Sequence, residues 1–128
     1  MRVLLDTHAF LWWLDGDRRL SVRARRVIGA DENTVFVSSA SAWEISTKIR
    51  IGKLPGATQV AADIPACIIG QRFESLNISI IHAQRAGALP GQHRDPFDRM
   101  LAAQAQVESL PIVTKDPIFD DFGVTRIW

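Results

Sequence analysis

The sequence predicts an α/β domain: a mostly parallel central sheet of four to five strands with helices on both faces. Three observations lead there. Apolar runs at residues 3–5, 34–37 and 112–114 are continuous rather than alternating, as expected of strands buried on both faces. Segments with helical spacing separate them, and strands alternating with helices imply a parallel sheet. The chain has 128 residues, near the commonest domain size, so residues 1–128 are read as a single domain.

Residues 2–5 form the first predicted strand, followed by apolar-rich helical sequence at 9–14. Gly16-Asp17 is a turn signal, and Ser21 opens a helix with Val22, Ala24, Val27 and Ile28 as its apolar positions. The second strand, 34–37, lies between Asn33 and the serines at 38 and 39. Residues 41–51 have helical spacing through Ala42, Ile45 and Ile49, and Gly52 stops them. A helix is expected over 60–73, although Pro65 weakens its first part. A short third strand follows at 76–78, then a short helix at 79–87 and a loop at 91–94. Pro96 occupies the first position of a helix over 96–109, whose apolar face is Phe97, Met100, Leu101 and Ala105. Pro111 ends that helix. Residues 112–114 are the fourth strand and 124–127 an edge strand.

Apolar residues make up 47% of the chain and the formal charge is +1. That excludes a disordered chain and any global attraction to polyanions. Cys67 is the single cysteine, so no intramolecular disulfide forms, and a reducing, cytoplasmic setting is expected. The N-terminus shows no signal-peptide pattern, because Asp6 interrupts the apolar stretch. No apolar run approaches the ~20 residues of a membrane helix.

Four acids stand at places where an α/β sheet gathers ligands. Asp6 and Asp116 follow predicted strands, Glu44 lies in the helix after strand two, and Asp98 lies in the first turn of the 96–109 helix. Each also has a purely structural explanation. Asp6 and Asp116 suit helix caps, Asp95 suits the cap before Pro96, and Ser41-Ala42-Trp43-Glu44 reads as a capping box. Their convergence is the stronger reading. Two carboxylates ~5 Å apart repel by roughly 3 kcal/mol at an effective dielectric near 20, so three or four together require protonation or a cation. Oxygen-only ligands favour Mg²⁺ or Mn²⁺, and no Cys/His spacing suggests zinc. His8 is placed at the site's lining; His82 and His93 read as surface or loop residues. Asp95 and Asp98 compete for one place, and the first-turn position favours Asp98 as ligand with Asp95 as cap or support.

A polyanionic substrate needs local positive charge. Arg18, Arg19, Arg23, Arg25 and Arg26 form one cluster, which also suits a solvated helix face. Lys48, Arg50 and Lys53, beyond Glu44, form a group better placed for phosphates. Arg99 and Lys115 adjoin the third and fourth acids and are assigned the same role. Trp12 and Trp13 cannot both face one core, and a partner interface is preferred over base stacking for them.

Leu4-Leu5-Asp6-Thr7-His8, Trp43-Glu44-Ile45-Ser46-Thr47-Lys48 with Gly52-Lys53-Leu54, and Asp95-Pro96-Phe97-Asp98-Arg99-Met100-Leu101-Ala102-Ala103 together resemble PIN-domain proteins. The closest likeness is to VapC-type toxins of bacterial toxin–antitoxin pairs. Thr114-Lys115-Asp116 with Phe119 fits the same pattern. The resemblance implies a three-layer α/β/α fold and a Mg²⁺- or Mn²⁺-dependent endoribonuclease that acts on RNA. It also implies neutralisation by a cognate antitoxin and self-association as a homodimer. The family's four acids fall on Asp6, Glu44, Asp98 and Asp116. Thr7 takes the place of a hydroxyl that follows the first acid, and Thr7, Asp95 and Thr114 stand as supporting residues.

Rival readings fit less well. A haloacid dehalogenase-type phosphatase needs a second Asp two residues after the first, where this chain has His8. A response-regulator receiver needs an acidic pair after strand one and a phosphoacceptor Asp after strand three, where Ser79 stands. The remaining alternative is a catalytically silent PIN-fold module that binds RNA or protein.

Overall fold

The computed structural model describes residues 1–128. Its sheet has five strands, β1 (Arg2–Leu5), β2 (Thr34–Ser38), β3 (Glu74–Leu76), β4 (Ile112–Val113) and β5 (Arg126–Ile127). They are ordered β3-β2-β1-β4-β5 and every pair is parallel. Chain progress runs outward from β1 to β2 and β3, then returns to the far side of β1 for β4 and β5. The switch point therefore falls between β1 and β4, the crevice where open α/β sheets bind ligands.

The pleat of β1 divides the interior. Val3 and Leu5 face one way and pack with Phe10, Ile28, Val35, Val37, Ile45 and Val113. Leu4 faces the other way and packs with Leu101, Ala102, Ile112 and Phe119. Helices α1 (Thr7–Asp15), α2 (Val22–Gly29), α4 (Thr58–Ala62) and α5 (Ile64–Gly70) cover the first face. Helices α6 (Ile80–Ala88) and α7 (Pro96–Glu108) cover the second. Helix α3 (Ser39–Arg50) contributes Ile45 to one cluster and Ala40 to the other. Buried strands with helices on both faces make the expected three layers. No helix is long and apolar enough to cross a membrane.

Several boundaries differ from the sequence reading. Helix α1 begins two residues early, at Thr7, because Asp6 caps it by accepting from the Ala9 N–H at 2.7 Å. Ser38, not Ser41, caps α3, which leaves Glu44 in the helix body rather than in a capping box. The helix expected over 60–73 is broken at Asp63, whose carboxylate caps α5 ahead of Pro65. Strand β3 pairs at Glu74–Leu76 rather than 76–78. As a mostly exposed edge strand it carries little apolar pattern.

Gln104 is fully buried in α7, and its Oε1 accepts from the Ser38 hydroxyl at 2.5 Å. Its amide faces the Asn77 carbonyl at 3.4 Å and His82 Nδ1 at 3.5 Å. His82 itself is buried, closing a capping box with Ser79, which corrects its reading as a surface or loop residue. Gln104→Leu should destabilise the fold by about 1–3 kcal/mol, because it strands the Ser38 hydroxyl and the Asn77 carbonyl. Urea unfolding at neutral pH measures this.

Candidate active site at the carboxyl edge of the sheet

The β1–β4 ladder continues past Leu5, with the Asp6 N–H donating to the Val113 carbonyl at 3.1 Å. Asp6 therefore stands at the sheet's carboxyl edge, 8% exposed. One carboxylate oxygen accepts from Ala9, and the other accepts from the Thr114 hydroxyl at 2.6 Å. The same hydroxyl accepts from the Asp116 N–H at 3.0 Å. Thr114, completely buried, thus fixes both acids of the crevice. Asp116 is exposed and caps the following 3₁₀ turn by accepting from the Ile118 N–H at 3.0 Å.

Glu44 reaches the same edge from α3 and is 4% exposed. Its Oε1 accepts from the Thr7 hydroxyl at 2.5 Å. Thr7 has a single proton to give, so the Ser41 hydroxyl, 3.0 Å away, donates to Thr7. Glu44 Oε2 is paired with the Lys48 ammonium one turn on. Asp98 projects from the first turn of α7, and His93 Nε2 lies 3.0 Å from its Oδ2. Asp95 is engaged in the cap, accepting from the Phe97 N–H at 2.9 Å.

The electrostatics tie these groups into one site. Burial pushes the Asp6 carboxyl up to about 6; the Thr114 and Ala9 bonds oppose this, and Glu44 and Asp116 add to it. Burial likewise pushes Asp98 up to about 6 against its bond to His93, with Asp95 and Glu44 adding repulsion. Burial alone would lower Lys48, but the bond to Glu44 and the charges of Glu44, Asp95 and Asp98 hold it above its ordinary value. Glu44 thus links the Asp6–Asp116 side of the site to the Asp98 side. No three of the acids stand at the spacing of one metal coordination sphere. Lys48, His93 and the Ile118 N–H instead engage oxygens of Glu44, Asp98 and Asp116.

The basic residues divide. Lys115 is exposed and lines a cavity of about 390 Å³ with Asp6, His8, Trp12, Asp116 and Pro117. Arg50 and Lys53 are exposed, whereas Lys48 is half-buried against Glu44. Arg99 corrects its assignment to phosphate. Its guanidinium donates to the carbonyls of Ala86 and His93 at 3.2 and 3.1 Å and to that of Leu89, so it ties the 89–95 loop to α7. In the arginine cluster, Arg19 pairs with Asp17, and Arg25 donates to the Asp17 and Leu20 carbonyls.

The tryptophan pair separates too. Trp13 packs against Phe73 and Gly29, and its Nε1 donates to Gln71 at 2.9 Å, leaving the ring half-buried. Trp12 faces the cavity, stacked on His8. Sequence reasoning missed Ser41, which it read as a cap, and His93, which carries no local motif. It also missed Trp43, 59% exposed beside Glu44 and edge-on to Phe97 at 4.8 Å.

Residues 3–124 match the PIN domain family. The chain is 31% identical over 116 residues to Ribonuclease VapC22 of Mycobacterium tuberculosis, covering 89% of this chain and 86% of that protein. Among solved structures, VapBC2 from Rickettsia felis bound to a promoter DNA fragment superposes with a TM-score of 0.71 at 20% identity, covering 98% of this chain and 97% of that one. Mycobacterium tuberculosis VapC20, a sarcin-ricin loop cleaving toxin, gives 0.70 at 16% identity, covering 96% of each chain.

Proposed function

Since the chain belongs to the PIN-domain family, we propose that it is a Mg²⁺- or Mn²⁺-dependent endoribonuclease, acting as a homodimeric toxin that a cognate antitoxin restrains. One observation carries the reading. Asp6 and Asp116 stand beside the switch point of the sheet, Glu44 adds repulsion to both Asp6 and Asp98, and those two are held near 6, far above the ordinary carboxylate range. Such desolvated, mutually repelling acids are an unfavourable arrangement for a bland helix-capping role and a suitable one for a hard cation. The donor chemistry suits such a cation, carboxylate oxygen throughout with no sulfur, and closing the acids around one ion requires Lys48 and His93 to release Glu44 and Asp98. Asp6, Asp98 and Asp116 would hold the ion directly or through water, with Glu44 beside them. When bound, it supplies positive charge for the non-bridging phosphate oxygens and makes a nearby water more acidic.

The chain's own groups do the rest. Thr114 and the Ala9 N–H fix both oxygens of Asp6, and His93 fixes Asp98. Thr7 and Ser41 orient Glu44, leaving Oε2 to take a proton from the attacking water once Lys48 turns away. Lys48 then faces the phosphate with its charge intact. The antitoxin reading draws on the relatives, several of which were solved in toxin–antitoxin complexes.

The test is incubation of the purified protein with labelled tRNA, rRNA and mRNA pools. Discrete cleavage is expected with Mn²⁺ and none after EDTA. Mn²⁺ binding without cleavage of any pool would favour a silent binding module instead.

A further inference from the structure

We infer that the pocket beside the acidic cavity, between His8–Trp12 and the 53–57 turn, seats one unpaired nucleobase adjacent to the phosphodiester that is cut. The inference rests on the nuclease reading for its ligand class, but its geometry is independent. Two cavities share a single wall. The first, about 390 Å³, is lined by Asp6 and Asp116 together with His8 and Trp12; the second, about 200 Å³, is lined by the same His8 and Trp12. A strand with its phosphate at the acids need cross only that aromatic ridge to enter the second pocket.

The ridge is built to hold its position. His8 and Trp12, four residues apart on α1, stack at 5.5 Å with planes 30° apart. Trp128 packs against Trp12 at 5.9 Å, and the Arg19 guanidinium lies 4.9 Å from its ring centroid. The held indole lines both cavities, and aromatic surface in a pocket wall is what a base of any sequence packs against. The pocket floor is apolar, formed by Leu11, Leu54 and Ala57, which suits the flat face of a base rather than a phosphate.

The rim has the charge a nucleotide needs. Lys53 lies at the second pocket and Lys115 at the first, and neither forms an ion pair within the chain. Phosphates on either side of the base therefore meet two uncommitted ammonium groups. Asp15 is the one carboxylate at the rim, and Arg19, ion-paired with Asp17, lines the same pocket. The pocket's size admits one ring system and not a base pair, so the base must be unpaired. An apolar side chain from a protein partner would use the floor but not the paired lysines, and for that reason the observations favour RNA.

The test uses the full chain carrying Asp6→Asn, so that binding is read without turnover. Fluorescence anisotropy follows a short labelled single-stranded oligoribonucleotide, in which each base in turn is replaced by an abasic ribose. Trp12→Leu, which keeps an apolar group against Trp128, should weaken binding by about 5- to 150-fold, the usual worth of one stacked base. One abasic position should cost a similar factor in the parent and nothing further in Trp12→Leu. Lys53→Gln should weaken every oligonucleotide uniformly and lower the salt dependence. The inference is overturned if no abasic position is special, if the Trp12 and abasic losses simply multiply, or if a duplex binds as tightly as the single strand. If Trp12→Leu fails to fold, the abasic scan of the parent with Lys53→Gln still decides. Failure of the nuclease reading would look different: no cleavage by the wild-type chain, whatever the anisotropy shows.

Discussion

Asp6→Asn is expected to reduce RNA cleavage in Mn²⁺ by about 10²–10³-fold or more, the usual consequence of removing one charge-stabilising group from such a site, while leaving the fold at least as stable. Both halves follow from the same carboxylate. Asparagine is nearly isosteric, and its carbonyl oxygen can still accept from the Ala9 N–H that starts α1. Its amide can donate to Thr114, whose hydroxyl rotates to accept. What disappears is the charge. Keeping Asp6 ionised at neutral pH costs the fold about 3 kcal/mol, from a carboxyl raised from 3.8 to about 6. In EDTA at pH 7.5 the variant should therefore melt at or above the wild-type temperature. A variant that melts lower would mean that Asp6 is mainly a structural cap. One that melts higher but still cleaves would remove Asp6 from the chemistry.

This trade of stability for an acidic cup also explains which features were legible in the sequence. The strands β1, β2 and β4 were readable because burial on both faces leaves an unbroken apolar run, and Asp6 marks the end of the first. Strand β3 was displaced because an edge strand has one face in solvent and pairs through its backbone, which leaves no pattern in Glu74-Ser75-Leu76. The acids were legible individually but ambiguous, since capping and ligation use the same residue types at the same positions. Asp6, Asp95 and Asp116 are in fact all caps. Their grouping depends on strand order, which local spacing does not encode. Arg99 was misread for a related reason: a basic residue beside an acid looks like a phosphate ligand until the 89–95 loop closes over it. Lys48 shows the reverse. Its charge was noticed, but its position four residues after Glu44 makes it the cup's own counter-ion.

The pH dependence should be the steepest property of the protein, and activity and stability should move in opposite directions. Asp6 and Asp98 each ionise near 6 in the folded chain. If both must be ionised, kcat/KM at low Mn²⁺ should fall by about a hundredfold per pH unit well below 6, since two deprotonations are needed. The slope is expected to approach two because the two carboxyls do not act directly on one another; they are linked only through Glu44. The stability sign is the reverse of the usual one for acids. Between about 4 and 6 the folded chain retains protons that the unfolded chain has released, so stability declines as pH rises through that window and the penalty is fully present above it. Below the unfolded value both states are protonated and the penalty vanishes. Asp17, lowered to about 2 by its bonds to Arg19, acts only at more acidic pH and leaves the window clear. Melting in EDTA between pH 4.5 and 7.5 should therefore show a falling midpoint while the cleavage rate climbs, and Asp6→Asn should flatten the melting trend. Added Mn²⁺ should raise the midpoint more at pH 7.5 than at 5, because a cation binds the carboxylates only once their protons have left. A midpoint that rises with pH in EDTA, or a Mn²⁺ effect that is equal at both pH values, would mean that the two acids are not the strained pair on which the nuclease reading depends.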